Sequence, residues 1–428
     1  FGVAPASQSA RVPLAETMQD SGRTATGSGG RIGVARSALV VAEIAASVLL
    51  VAGAGLLIRT LAALAAVDAG YTVDRVLTMR VELPLSRYRT TDAALAFYRS
   101  AQREIAALPG VRVAAIGDSL PLDGGNIGQS FEIDGEPQAD PSHLRSAHYQ
   151  MVSVEYFRAL GIPMIGGRAF DDHDSASSQP VCIVDEEFAR RFLPDRSPIG
   201  ASVRVAPMGT SGANPVSRAV VGVVHQVKEQ PGELERAVVI YVPLAQNAWY
   251  SASIVVQTAE EPSTVVPAVK AAVARVDKDQ PVTLVRTMTQ IASASTATPR
   301  FRAQVVGAFA AVALGLAMVG VFGVLAFTVR QRAREFGIRM ALGARAIDVM
   351  AIVLEAGARL TLAGAAIGIA GAVALTRFLG TLLFGVTPLD PLSLAASVAL
   401  LTVCALVACA LPAARAVRVE PASALRQG

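Results

Sequence analysis

Two stretches of this chain go without a charged residue for longer than a bilayer is thick. Ala303 to Val329 runs for 27 residues and Pro391 to Ala414 for 24. About 20 apolar residues suffice for a helix to cross the hydrocarbon core, and backbone in lipid must satisfy its own hydrogen bonds, which a helix does. Ser37 to Ile58 qualifies with one charge, Glu43, and Val349 to Thr376 qualifies with two, Glu355 and Arg359. Four spans are therefore expected. The composition agrees, because 52% hydrophobic against 17% charged residues leaves too little charge to coat a soluble protein of this size.

Charge asymmetry predicts the orientation. Residues 330–348 hold five arginines, Arg330, Arg332, Arg334, Arg339 and Arg345, against Glu335 and Asp348. The tail has Arg415, Arg418 and Arg426 against Glu420, and the N-terminal segment has Arg11, Arg23, Arg31 and Arg36 against Glu16 and Asp20. By the positive-inside rule both termini and the 330–348 loop are expected in the cytoplasm, and residues 60–302 outside. The expected organisation is a tail and linker over 1–36, spans over 37–58, 303–329, 349–376 and 391–411, an outer domain over 59–302, an inner segment over 330–348, an outer loop over 377–390 and an inner tail over 412–428.

The outer insert reads as α+β, in two lobes. Strand signals run over Val76–Leu83, Val111–Gly117, Val181–Val184, Val220–Val224, Val238–Val242, Ser253–Thr258 and Val282–Val285, and helical spacing over Asp92–Leu108, Glu155–Leu160, Glu186–Phe192 and Pro262–Val276. Gly161 is placed to end the short helix before it. The fold class expected is thus four transmembrane helices plus a large α+β domain between spans one and two.

No catalytic, cofactor or metal site is expected. A P-loop needs a lysine after a glycine-rich turn, and none of Lys228, Lys270 and Lys278 follows a glycine. The run Asp171-Asp172-His173-Asp174 lacks a regular ligand spacing and reads as a solvated loop. His143, His148 and His225 are scattered, Ser119 lacks the flanking glycines of a nucleophile elbow, and Asp185-Glu186-Glu187 reads as the start of a helix. Cys182, Cys404 and Cys409 are too few for a disulfide framework. Within span three, Glu355 and Arg359 are four residues apart, so they share a helical face and are expected to neutralise each other.

The chain begins at Phe1, as a piece of something longer or a processed form does, and residues 1–36 lack the apolar core of a signal peptide. Pro5-Ala6, Ala10-Arg11-Val12 and Met18 recur at the same spacing as Pro412-Ala413, Val417-Arg418-Val419 and Leu425. This echo suggests two copies of one module, joined by a flexible linker over Ser21–Gly33.

The most informative segment is Arg330-Gln331-Arg332-Ala333-Arg334-Glu335-Phe336-Gly337-Ile338-Arg339-Met340-Ala341-Leu342-Gly343-Ala344. As a helix it puts Phe336, Met340 and Ile347 on one face and Arg332, Glu335 and Arg339 on another. Such a helix docks into a partner's groove, and a plain interfacial anchor accounts for the pattern equally well. Here the sequence resembles the cytoplasmic segment of MacB/FtsX-type ABC transporter permeases. The ending Leu411-Pro412-Ala413-Ala414-Arg415-Ala416 is similar to that family's C-terminal signature, and Tyr156-Phe157-Arg158-Ala159-Leu160-Gly161-Ile162-Pro163, Gly166-Gly167-Arg168-Ala169-Phe170, Pro198-Ile199-Gly200 and Val220-Val221-Gly222-Val223-Val224 resemble its periplasmic core domain.

The resemblance implies a multi-pass protein of the inner membrane with its large domain in the periplasm. It implies a cytoplasmic ABC ATPase subunit as partner, a second permease module in the same chain or a dimer, a periplasmic adaptor as a further candidate, membrane lipid around the spans, and no nucleic acid. Coupling residues expected from it are Arg334, Glu335, Gly337, Arg339 and Gly343. The rival expectations are an FtsX-like signalling module that regulates an external partner, and a membrane-anchored binding module without an ATPase.

Overall fold

The computed structural model describes residues 28–66, 69–125, 127–136, 145–208, 214–228, 237–342, 344–379 and 390–417. The echo between residues 5–18 and 412–425 lies for the most part outside them. The elements in chain order are α1 (Ser28–Ala66), β1 (Val76–Glu82), α2 (Thr91–Ala106), β2 (Val111–Gly117), β3 (Ile127–Ile133), β4 (Ser146–Val152), α3 (Tyr156–Leu160), β5 (Met164–Gly167), β6 (Val181–Asp185), α4 (Glu186–Phe192), β7 (Ser202–Val205), β8 (Val216–Val224), β9 (Val239–Pro243), β10 (Ser251–Thr258), α5 (Pro262–Val276), β11 (Val282–Thr287), α6 (Met288–Ser295), α7 (Ala297–Gln331), α8 (Ala333–Ala341), α9 (Ala346–Leu379) and α10 (Pro391–Val417). They divide into two compact units: the membrane helices, and residues 61–300.

Among the described residues four helices, α1, α7, α9 and α10, are long and apolar enough to cross a membrane. Each outruns the apolar stretch that announced it. α1 is already helical at Ser28, inside the segment expected as a flexible linker, and α10 continues through Pro412 to Val417. The helices approach through small residues. Gly364 and Gly368 of α9, in GxxxG spacing, meet α1: a methyl at Gly364 would lie 2.6 Å from Ile44 Cβ, and one at Gly368 2.7 Å from Val48 Cβ. Gly357 is similarly filled by Cys409 of α10 and Leu325 of α7.

These contacts also fix direction. Arg36 stacks over Phe327 at 4.6 Å while Val40 and Glu43 meet Gly320, so α1 and α7 run antiparallel. α9 runs parallel to α1, and α10 runs antiparallel to both, its Ser393 beside Gly55 and its Cys409 beside Gly357. The four helices therefore alternate in direction. Much of their outer surface, including Phe309, Val319, Leu362 and Val403, is exposed and apolar, as lipid-facing surface must be.

In the unit formed by residues 61–300, the described strands all join one sheet. β11, β1, β10 and β2 form an antiparallel open sheet. Period-two alternation sends Leu77, Met79 and Val81 to the face covered by α2 and α5, through Phe97, Tyr98, Ile105, Val269 and Val273. Val113, Ala115 and Val255 go to the opposite face, covered by Tyr156 and Phe157 of α3 and by Met288 and Ile291 of α6. The remaining order β4-β3-β7-β8-β6-β9 returns to β4, because β9 also pairs with β4 in parallel. Six strands thus close on themselves. Alternate side chains fill the ring, among them Phe131, Tyr149, Met151, Val184, Val205 and Ile240.

The two expected lobes take this form: an open sheet and a ring. Among the described residues β2 and β4 pair at Gly117 with Val152, which joins the two in one sheet. Hydrogen bonds of backbone and side chain flank that joint. Ile116 N–H donates to Ser153 Oγ at 2.9 Å, and Ser153 N–H returns to Ile116 O at 2.8 Å. β3, β4, β5, β7 and α6 were not anticipated.

Candidate functional site

α7 ends at Gln331, and after one turn residue the chain resumes as α8. The break is slight: Arg332 N–H still donates to Thr328 O at 3.0 Å and Phe336 N–H to Arg332 O at 2.9 Å. By the helix directions above, α8 lies at the same end of the membrane unit as the start of α1 and the C-terminus of α10. Five arginines are carried by residues 330–348 at this end.

One face of α8 is anchored. Phe336, 1% exposed, packs in the cluster of Leu325, Val329, Val349 and Val353. Gly337 beside it is buried too. On the exposed side Glu335 accepts from Arg339 one turn on, at 2.7 Å, with Arg332 at 4.0 Å. The carboxylate is thus flanked by guanidinium groups before and after it, an arrangement that stiffens the helix surface slightly. Ile338 is exposed and Leu342, just past the end of α8, is 82% exposed, so this segment presents apolar side chains beside its anchor. The side chains of Arg334 and Met340, and Gly343 altogether, lie outside the described residues.

One expectation is corrected. Ile347 does not continue the Phe336 face. α8 ends at Ala341, and Ile347 falls in the first turn of α9, 62% exposed. A new helix start resets the phase: Arg345 N–H donates to the Asp348 carboxylate at 2.9 Å, half of a capping box.

Glu355 and Arg359 face each other on α9 at 2.6 Å, both exposed on the helix surface. A second ion pair was not foreseen. Arg59, near the far end of α1, pairs with Asp390 at the start of α10. Asp390 is also the N-cap of α10, accepting from Ser393 N–H at 2.7 Å. The sequence Asp390-Pro391-Leu392-Ser393, an acid followed by proline at the first helical position, carries that signal.

Two acidic groups of the 61–300 unit are occupied structurally. Arg168 binds Asp174 through two bonds of 2.8 Å, tying the 171–174 loop. Asp185 caps α4, accepting from Phe188 N–H at 2.9 Å. Among the described residues no group of three or more His, Cys, Asp or Glu is placed to hold a metal ion.

Residues 37–276 match the family model of the MacB-like periplasmic core domain, and residues 307–421 match that of the FtsX-like permease C-terminal. A macrolide export ATP-binding/permease protein MacB of Marinobacter nauticus is 28% identical over 300 residues, covering 65% of this chain and 43% of that protein. A pyoverdine export ATP-binding/permease protein PvdT of Pseudomonas syringae pv. tomato is 26% identical over 341 residues, covering 73% and 47%. The solved periplasmic region of MacB from Actinobacillus actinomycetemcomitans superposes with 53% of this chain and 94% of its own, at a TM-score of 0.36 and 13% identity. The chain spans less than half the length of the two curated relatives.

Proposed function

This chain belongs to the family of MacB-like and FtsX-like permeases, and on that premise we propose that it is the membrane-spanning module of an ABC transporter, driven by a separate cytoplasmic ATPase subunit. ATP-driven closure of that subunit is taken up by α8 and passed through the spans to the domain of residues 61–300. That domain lies outside the cell membrane and exports or releases the substrate. α1 and α7 are the helices that lead the chain into and out of it.

The observation that carries this reading is the two-sided character of α8. Phe336 is sunk among α7 and α9 residues, so a push on α8 is a push on the spans. Ile338 and Leu342 are exposed beside it with Arg339, a surface suited to a groove on a partner. A purely lipid-facing anchor needs no such buried plug. The arginine-rich end is the cytoplasmic one by charge bias. The two relatives carry unlike cargoes in their names, macrolide and pyoverdine, so a cargo is not transferred from them.

The test is co-purification from detergent with the full-length protein as bait, followed by an ATPase assay. Arg339→Glu and Glu335→Lys are expected to leave membrane insertion intact and to lower stimulated ATP hydrolysis at least tenfold. Wild-type stimulation in both variants would remove α8 from the coupling route. A well-folded protein that recruits no ATPase would favour the FtsX-like signalling alternative.

A further inference from the structure

α1 is held to α10 at one end by two contacts of different kind. A Cβ at Gly55 would sit 3.7 Å from Ser393 Cβ, so the two backbones are in close approach. One turn further on, Arg59 meets the Asp390 carboxylate across the same interface. By the helix directions this is the end opposite α8.

The chemistry of the pair suits something that opens. The carboxylate is buried and has a second employer: hydrogen bonding from Ser393, together with the Arg59 guanidinium, holds it down to about 2. When Arg59 leaves, Asp390 still caps α10 through Ser393 N–H. Arg59 is itself exposed, so the pair is open on the arginine side. Asp390 keeps the Ser393 hydrogen bond when Arg59 leaves, which lowers the penalty below that of stranding a wholly unpaired buried charge. A partly exposed ion pair is itself a weak bond. By contrast, α1 meets α9 through an apolar seam at Gly364 and Gly368 that has no solvated alternative.

We propose that Arg59 and Asp390 form a reversible latch that joins α1 to the start of α10 at the end away from α8, and that it opens when the α8 end is driven closed. The opening step rests on the proposed function; the latch itself rests on the geometry above.

The 3.7 Å approach supplies the probe, since a disulfide requires Cβ atoms about 3.5–4.5 Å apart. Gly55→Cys with Ser393→Cys is made in the full-length protein, with Cys182, Cys404 and Cys409 replaced by serine, and assembled with its ATPase. Oxidation is followed by counting free thiols with a maleimide polymer on a gel, in nucleotide-free protein and after trapping with ATP and vanadate. The expected result is rapid disulfide formation without nucleotide and formation at least tenfold slower in the trapped state. Arg59→Gln in the same background is expected to slow the nucleotide-free reaction toward the trapped rate, and Arg59→Lys to restore it in part. Equal rates in the two states would make the contact a fixed strut and overturn the latch, as would wild-type rates in Arg59→Gln or no disulfide in either state. Absence of ATP hydrolysis in the parent complex would count against the proposed function instead, and the Arg59→Gln comparison without nucleotide would still decide whether the pair holds α1 to α10.

Discussion

Asp118 and Met151 exchange two hydrogen bonds across the joint between open sheet and ring. Asp118 N–H donates to Met151 O at 3.1 Å, and Met151 N–H donates back to Asp118 Oδ1 at 2.9 Å. A side chain here stands in for a strand's carbonyl, just where the ladder has shrunk to the pair Gly117 and Val152. The carboxyl is buried, and burial pushes its pKa up to about 7 against the opposing pull of these backbone donors.

That shift has a signed consequence. From about pH 4 to pH 7 the unfolded chain has lost the Asp118 proton while the folded protein keeps it, so the group's contribution is full below about pH 4 and is lost as pH rises to about 7. Asp118→Asn keeps an acceptor for Met151 N–H and cannot ionise. Its melting temperature is expected to fall less than the wild type's between pH 5 and pH 8. Asp118→Ala removes the acceptor and is expected to cost about 1–3 kcal/mol at both values. Parallel wild-type and Asp118→Asn profiles would show that the carboxyl does not hold its proton.

The glycine seam sorts substitutions by position. A methyl at Gly364 or Gly368 runs into Ile44 or Val48, whereas Gly323 has open space and Gly371 meets Leu49 only at 3.4 Å. Gly364→Ala and Gly368→Ala are expected to destabilise the membrane unit by roughly 1–3 kcal/mol, the range for overpacking. Gly323→Ala is expected to be neutral or slightly stabilising, because alanine favours helix. Thermal aggregation in detergent ranks the variants, and equal behaviour of Gly364→Ala and Gly323→Ala would dissolve the seam.

Glu355 and Arg359 make a case for non-additivity. Each is a charge on an exposed helix surface within a span, and each is neutralised by the other at 2.6 Å. Glu355→Ala leaves Arg359 alone and is expected to cost up to about 3 kcal/mol in insertion. The double change Glu355→Ala with Arg359→Ala is expected to cost less than Glu355→Ala alone. A glycosylation-mapped insertion assay reads both, and additive losses would show that the two side chains act separately.

What could be read from the residues followed from periodicity and length. The spans, and strands such as Val76–Glu82 and Ser251–Thr258 with their β-branched apolar runs, announce themselves locally. β3 and β4 did not, because Gly128, Gln129, Ser130, His148 and Gln150 dilute the signal. Their alternation, Phe131 with Ile133 and Ala147 with Tyr149 and Met151, emerges only once the ring is seen to need one apolar face. Ring closure was out of reach for a different reason, since the parallel register of His148 with Val239 is a relation between distant segments. At α8 the charged face was legible. The depth of Phe336 was not, because it depends on Val349 and Val353 of a later helix. The pairing of Arg59 with Asp390 carries no local signal, because the two residues are far apart in the chain.

The strand order has a last consequence, for biosynthesis. β1 is the first strand of its unit to leave the ribosome, and it is flanked by β10 and β11, the last two. Val76 waits for Gln257, and Leu77 for both Val256 and Thr287. An apolar segment therefore stays without partners until nearly the whole unit has been synthesised, and non-local pairing of this kind is slow and prone to aggregation. The unit can complete its open sheet only as α7 is about to be made, which ties the folding of one unit to the insertion schedule of the other.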